Sequence, residues 1–323
     1  VTDRRREILE WAEQGRLAPE DVRRALKLAG VLPSGGDWRL FLDRMLLWMG
    51  SVMSAAGVIF FLAYNWNEIG HFTKFGMVEA VFVATLFLVW KLGLERPAGK
   101  AALLGGAVLV GAIFALIGQT YQTGADSFEL FATWAVLIVP WMLVGRFAAL
   151  CVFWLLLVNL AVTLYTTVFH GLTGVVFGPE RLLWQLLWLN TAALAIWEIL
   201  AAYGVAWLRE RWAARLIITA GGALCTALAV SDLCLRRGSS GWGFPVWLAW
   251  LAAVYVVYRF RIKDLYALAG GVLSVIVTVT CFLGKHMLRD HQAGSFLFIG
   301  LVVIALSAAG GWWLKRVAAE EKR

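Results

Sequence analysis

Gly111-Ala-Ile-Phe-Ala-Leu-Ile-Gly-Gln119-Thr-Tyr121-Gln-Thr-Gly-Ala-Asp126-Ser-Phe-Glu-Leu130 is the stretch from which the fold can be read. An apolar run ends abruptly in amides, hydroxyls and a carboxylate, and a second apolar run begins at Phe128. An echo lies upstream: in Gly57-Val-Ile-Phe-Phe-Leu-Ala-Tyr64-Asn65-Trp66, Gly57 falls under Gly111, Phe60 under Phe114, Leu62 under Leu116 and Asn65 under Gln119. Both runs have the length and composition of helices that cross a bilayer, and both leave it through an amide and an aromatic residue. About 20 predominantly apolar residues are needed to cross a hydrocarbon core of about 30 Å.

The rest of the chain repeats that pattern. Of its 323 residues 61% are hydrophobic and 15% charged, with a mean hydropathy of +0.75. Soluble domains carry about 25% charged residues, so this is the composition of a membrane protein. Ten runs qualify as spans: Met45 to Tyr64, Phe72 to Trp90, Ala101 to Gln119, Phe128 to Val144, Phe147 to Val168, Leu182 to Trp207, Trp212 to Leu235, Trp242 to Phe260, Leu265 to Leu283 and Phe296 to Leu314. The expected fold is an all-α, polytopic transmembrane helical bundle of about ten spans with a short N-terminal cytoplasmic helical hairpin. Its divisions are the hairpin over residues 1–40, four spans over 41–144 with a possible parallel two-span repeat, six further spans over 145–316 and a cytoplasmic tail over 317–323.

The hairpin is read from Ile8, Leu9 and Ala12 ahead of Gly15, and from Val22, Ala25, Leu26 and Ala29 ahead of Gly30. Pro19, Glu20 and Asp21 suit a first helical turn, and the glycines suit the position just past a helix end. The pair is too small to bury a core alone. It is expected to pack on the membrane domain or on a cytoplasmic protein partner through residues 1–38, with Trp11 as an anchor. The first 40 residues are charged, so no cleavable signal peptide is expected.

The formal charge of +8 does not point to nucleic acid, because the basic residues are spread between apolar runs instead of gathered on one soluble face. They sort by side. With the N-terminus inside, 23 of the 29 Lys and Arg fall on cytoplasmic segments, and the outside holds Lys74, Arg181, Arg236, Arg237, Lys285 and Arg289. Such asymmetry is the positive-inside rule, and it places both termini in the cytoplasm of a bacterial inner membrane, with the lipid bilayer as the partner. Tryptophans near span ends, Trp48, Trp66, Trp90, Trp207, Trp212, Trp242, Trp312 and Trp313, match interfacial belts. Gly50 and Ser54, Gly105, Gly106 and Gly111, Gly221 and Gly222, Gly270 and Gly271, and Ser307 and Gly311 suit close helix approach.

Polar residues inside a span are costly in hydrocarbon and mark functional sites. Glu79 is foremost, about 10 Å below the outer end of the second span at 1.5 Å per residue. Together with Asn65, Trp66, Gln119, Tyr121 and Asp126 it forms a candidate outward-facing cleft with a titratable floor. The competing readings are a buried, hydrogen-bonded structural Glu79 and ordinary helix-end and turn chemistry for the amides, Gly124 and Asp126. Glu198 is a secondary intramembrane candidate, with Trp197 and the nearby cytoplasmic interface permitting a structural role; Asn159, Gln185 and Asn190 are milder cases. Cys151, Cys225, Cys234 and Cys281 lack metal-ligand or disulfide spacing. His286, Asp290 and His291 read as a solvated loop, and no HExxH, P-loop, GxSxG or GxGxxG pattern occurs. No cofactor, metal or catalytic residue is expected.

Trp11, Gly15 and Leu17 in the hairpin, Gly50, Gly57 and Asn65-Trp66 in the first span, and Gly118-Gln119-Thr120-Tyr121 followed by Gly124, Asp126 and Trp134 carry a resemblance. Over roughly residues 1–145 the chain resembles the bacterial integral membrane family catalogued as domain of unknown function 2157. The resemblance implies a multispanning inner-membrane protein and no established activity. Two functions are expected from these residues, transport of a small solute or lipid-linked group through the polar cleft, or a membrane scaffold or sensor whose hairpin recruits a partner; against the third alternative, a membrane-embedded enzyme, stands the lack of paired catalytic groups at recognisable spacing.

Overall fold

The structure is a computed structural model that describes residues 2–64, 70–121, 124, 126–169, 180–234, 241–287 and 293–320. Twelve α-helices and no strand occur among the described residues, and ten helices are long and apolar enough to cross a membrane. Two compact units are formed, Val1–Thr120 and Tyr121–Arg323.

In the first unit, α1 (Thr2–Glu13) and α2 (Pro19–Leu28) form the hairpin. Gly15 and Gly30 take φ of +68° and +69° just past the helix ends, a left-handed conformation in which glycine meets no Cβ penalty. There the Arg16 and Val31 amides donate back to the Trp11 and Leu26 carbonyls, both at 2.9 Å. Ile8 is buried, and Pro19 opens α2 with Glu20 and Asp21 in its first turn.

Helix α3 (Gly35–Tyr64) starts about ten residues before the apolar run that marks its span. The reason is a reciprocal cap. The Asp37 carboxylate accepts from the Ser34 amide at 2.8 Å while the Asp37 amide donates to Ser34 Oγ at 3.2 Å, which satisfies amides at the helix start. Hydropathy locates the bilayer crossing, whereas the cap locates the helix. Helices α4 (His71–Leu92) and α5 (Pro97–Tyr121) complete the unit. Ser51 Oγ donates to the Ala101 carbonyl at 2.5 Å, and a Cβ on Gly105 would stand 2.7 Å from Ser51 Oγ, so α3 and α5 meet there through a missing side chain. Val78, Ala112 and Leu116 pack with Val58, Ile59, Phe75 and Ile113 to tie the three helices together.

The second unit holds α6 (Ser127–Gly145), α7 (Ala148–Val168), α8 (Arg181–Ala202), α9 (Arg211–Cys234), α10 (Gly243–Val256), α11 (Leu265–Met287) and α12 (Ala293–Glu320). Two residues, Arg146 and Phe147, reverse the chain between α6 and α7, and Trp154 Nε1 donates across to the Ala135 carbonyl at 3.1 Å. Helix α9 is central: it packs on α7, α8, α10 and α11 and buries Ala213, Ala214, Ile217, Ile218, Gly221, Cys225, Leu228 and Ala229. Its small residues explain the close packing. A Cβ on Gly222 would lie 3.1 Å from the Trp250 ring, and one on Gly243 would lie 2.6 Å from the Leu228 carbonyl oxygen. The Asp232 carboxylate accepts the Phe244 amide at 2.9 Å and so caps the start of α10.

Helix α10 does not end cleanly. It runs into a π turn, Val257–Arg261, where the Ile262 amide reaches back to the Val257 carbonyl at 3.0 Å. Lys263 follows with φ of +55°, and Asp264 precedes α11. Single π turns inside helices often occur at functional sites.

Candidate functional site

The six residues of the expected outer cleft are distributed as follows. Asn65 and Trp66 lie outside the described residues. Glu79 is exposed on α4, and Gln119 is exposed near the end of α5. Tyr121 and Asp126 are exposed in the second unit, at the last residue of α5 and the residue before α6; no side-chain bond from Asp126 caps that helix. His286 contacts its own helix through the Phe282 carbonyl, while Asp290 and His291 lie outside the described residues.

Charge is concentrated instead at one end of the second unit, where the α8–α9 link, the π turn and the start of α11 converge. Glu198, the secondary sequence candidate, is one member. Its carboxylate accepts from Arg211 Nη1 at 3.0 Å and from the Tyr258 hydroxyl at 2.8 Å, and its side chain is 13% exposed. The π turn directs the buried Tyr258 there. Trp197, one residue earlier, donates to the Leu208 carbonyl at 2.9 Å and fixes the chain reversal beneath the network.

Asp264 is the second anion, with a side chain 4% exposed. It accepts from Arg211 Nε at 3.2 Å, from Arg215 Nε and Nη2 at 3.1 and 3.2 Å, and from the Tyr266 amide at 3.0 Å. Burial opposes its ionisation, but hydrogen bonds from Arg215, the Tyr266 amide and Arg211, with the charge of Arg215, outweigh that and hold the carboxyl below the usual range. Two arginines and two carboxylates balance in formal charge and latch α8, α9, the π turn and α11 together.

From this network a groove of about 680 Å³ runs between α9 and α11, with Trp250 of α10 at its wall. Thr219, Gly222, Ala223, Thr226 and Val230 line it from α9, and Tyr266, Gly270, Leu273, Ser274, Val277 and Cys281 from α11. The spacing of three and four residues puts the α9 set on one helix face, and Arg215 lies one turn beyond Thr219 on that same face. A Cβ on Gly270 would meet nothing within 4 Å, so there the missing side chain opens the groove instead of closing a helix contact. The lining is apolar apart from two hydroxyl pairs. Thr219 and Tyr266 share a hydrogen bond of 2.9 Å next to Arg215, whose guanidinium lies 5.4 Å from the Tyr266 ring centre. Midway, Thr226 and Ser274 share one of 2.6 Å, and Trp247 Nε1 donates to Ser274 at 2.7 Å.

The milder sequence candidates are packing devices. Asn190 donates to Asn159 Oδ1 at 2.6 Å across α7 and α8, and each side chain also donates to a carbonyl one turn earlier on its own helix. Hydropathy marks both asparagines. It passes over Arg211, Arg215 and Asp264, which read as ordinary loop charge at span ends. Two features of the sequence bear on them: the four-residue spacing of the arginines, which puts both on one helix face, and an aspartate set directly against Lys263 in a basic link.

Residues 9–151 match the family described as "Predicted membrane protein (DUF2157)". No match is found among curated proteins, nor among solved structures. The matched segment and the ten apolar helices together identify a membrane protein with multiple spans. The charged network and the groove lie C-terminal to the matched residues.

Proposed function

We propose that this protein binds an amphipathic molecule, a lipid or lipid-linked group, from within the bilayer and moves its polar part across, using the groove between α9 and α11 as the binding surface. One observation carries the reading: an apolar groove of about 680 Å³ whose end residue Tyr266 lies beside Arg215. Pockets of roughly 300–1,000 Å³ lined by apolar side chains with a few placed polar groups are the usual form of small-molecule sites. A water-soluble solute finds little here to replace its hydration, whereas an acyl or prenyl chain needs no hydrogen bonds. In this reading Glu79, exposed on α4, is a candidate contact on the polar route taken by the cargo's headgroup. The basic-residue asymmetry supports a bacterial inner membrane with both termini in the cytoplasm.

The test is transbilayer movement of a fluorescent phospholipid in proteoliposomes containing wild type, Gly270→Phe or Glu79→Gln. Movement above protein-free vesicles that is lost in Gly270→Phe supports the groove, and loss in Glu79→Gln supports the polar route. Movement that both variants leave unchanged overturns the proposal.

The second reading, a scaffold or sensor, is favoured by the surface of the hairpin. Leu9, Trp11 and Leu28 are exposed, Leu28 by 82%. Capture of one cytoplasmic protein that depends on Trp11 and Leu28, together with no lipid movement, would replace transport by recruitment.

A further inference from the structure

We infer that the groove between α9 and α11 takes one acyl chain of an anionic phospholipid, with the lipid phosphate on Arg215. The inference rests on the lipid reading given above and adds the class of headgroup.

Length is the first argument. From Tyr266 to Cys281 the groove follows α11 for 15 residues, roughly 22 Å at 1.5 Å per residue. One leaflet fills about half of a hydrocarbon core of about 30 Å, so the groove is deep enough for a full acyl chain entering from the charged end. Gly270, Ala223 and Ala227 leave room for methylene groups where larger residues would fill it.

The order of chemistry along the groove is the second. Apolar lining, broken midway only by the Thr226–Ser274 pair whose hydroxyls bond each other, gives way to the Thr219–Tyr266 hydroxyl pair and then to Arg215. Chain, ester and glycerol oxygens, then phosphate is the same order in a phospholipid. Hydroxyls suit the ester level and a guanidinium suits the phosphate, which it binds through paired N–H donors.

Charge is the third. Arg215 has five N–H donors, of which Nε and one on Nη2 bond Asp264, and its side chain is 44% exposed. Asp264 retains Arg211 and the Tyr266 amide when Arg215 turns part of its fork to a ligand. The buried Arg211 Nη2 has no hydrogen-bond partner among the described residues. Arg209, Arg261 and Lys263 flank the same end on the two links and outnumber Glu210 there, so the surroundings favour a net anion over a zwitterion. A second copy of the chain laying a helix in the groove is the competing occupant, which the measurement of oligomeric state below separates from a lipid.

The experiment measures binding of phosphatidylglycerol and phosphatidylcholine with identical acyl chains to the full-length protein in detergent, by native mass spectrometry and by thermal stabilisation. Inorganic phosphate and glycerol phosphate serve as probes without a chain. Wild type should favour phosphatidylglycerol by about tenfold, and the soluble phosphates should give no shift. Arg215→Gln should bring that ratio to near one while phosphatidylcholine binding persists, and Arg215→Lys should retain part of it. Raising the salt concentration on wild type should shrink the ratio and provides the same test without a variant. Gly270→Phe should lose both lipids. A ratio near one in wild type, or a wild-type ratio that salt and Arg215→Gln leave unchanged, overturns the phosphate assignment while the lipid reading stands. Equal binding of both lipids by Gly270→Phe overturns both readings, as does a dimer that Gly270→Phe converts to monomer with no change in lipid binding.

Discussion

Glu79 and Glu198 are two glutamates within spans, and the two units treat them differently. Glu79 is exposed on α4, while Glu198 is enclosed by Arg211 and Tyr258. Both look alike in a hydropathy trace. What separates them is whether distant segments bring a cation and a hydroxyl to the carboxylate. Arg211 comes from the start of the next helix and Tyr258 from the π turn that ends α10. A carboxylate paired in this way serves as a fixed part of the architecture, whereas an exposed one is open to contact by a ligand.

The comparison can be broken most forcefully at Asp264. Asp264→Ala removes the shared anion of two arginines; the Arg215 side chain is 44% exposed and Arg211 keeps Glu198, so the cost is that of lost charge-assisted hydrogen bonds, about 2–3 kcal/mol. A large fall in the denaturation midpoint in detergent is expected, and a change under about 1 kcal/mol would show that the latch is not structural. The same carboxyl sets an acid limit. Its folded-state value lies below the ordinary one, so its contribution to stability is complete above the unfolded-state value of about 4 and is lost as pH falls through the lower folded value. Wild type should therefore show a stability loss below about pH 4 that is reduced in Asp264→Asn, and no change in this group's contribution between pH 6 and 8.

Asn190→Leu sharpens the contrast at a neutral site. It strips Asn159 of its cross-helix partner and should cost about 1–2 kcal/mol, measured by thermal unfolding. The smallest effect belongs to Glu79→Gln. Substitution of an exposed residue is expected to change stability by no more than about 0.5 kcal/mol, with its consequence confined to lipid movement. A large loss of stability in this variant would place Glu79 among the structural glutamates and erase the contrast.

Much of the architecture is legible from the chain because bilayer crossing is a one-dimensional property. All ten spans correspond to observed helices, since length and apolarity are both local. Helix ends are less legible where capping extends them: Ser34 and Asp37 start α3 well ahead of its apolar run. Gly15 and Gly30 announce their turns because only a left-handed backbone needs glycine there. The charged network is harder to see. Arg211 and Asp264 are 53 residues apart, and each alone resembles an ordinary basic or acidic loop residue. Glu198 is visible as an intramembrane carboxylate, but its partners come from tertiary contact. The glycines divide for the same reason. Gly105 and Gly222 admit Ser51 and Trp250, while Gly270 faces open space, a difference that no spacing rule contains.

The central claim, that a lipid chain lies between α9 and α11, is tested most directly by photocrosslinking. A phospholipid carrying a diazirine on one acyl chain is incorporated into nanodiscs with the wild-type protein, irradiated, and the adducts are mapped by peptide mass spectrometry. Adducts concentrated on the groove-facing residues Ala223, Thr226, Gly270 and Leu273, and lost in Gly270→Phe, are the expected result. Adducts spread evenly over the exposed faces of α3, α4 and α12, with none enriched along the groove, would contradict the account.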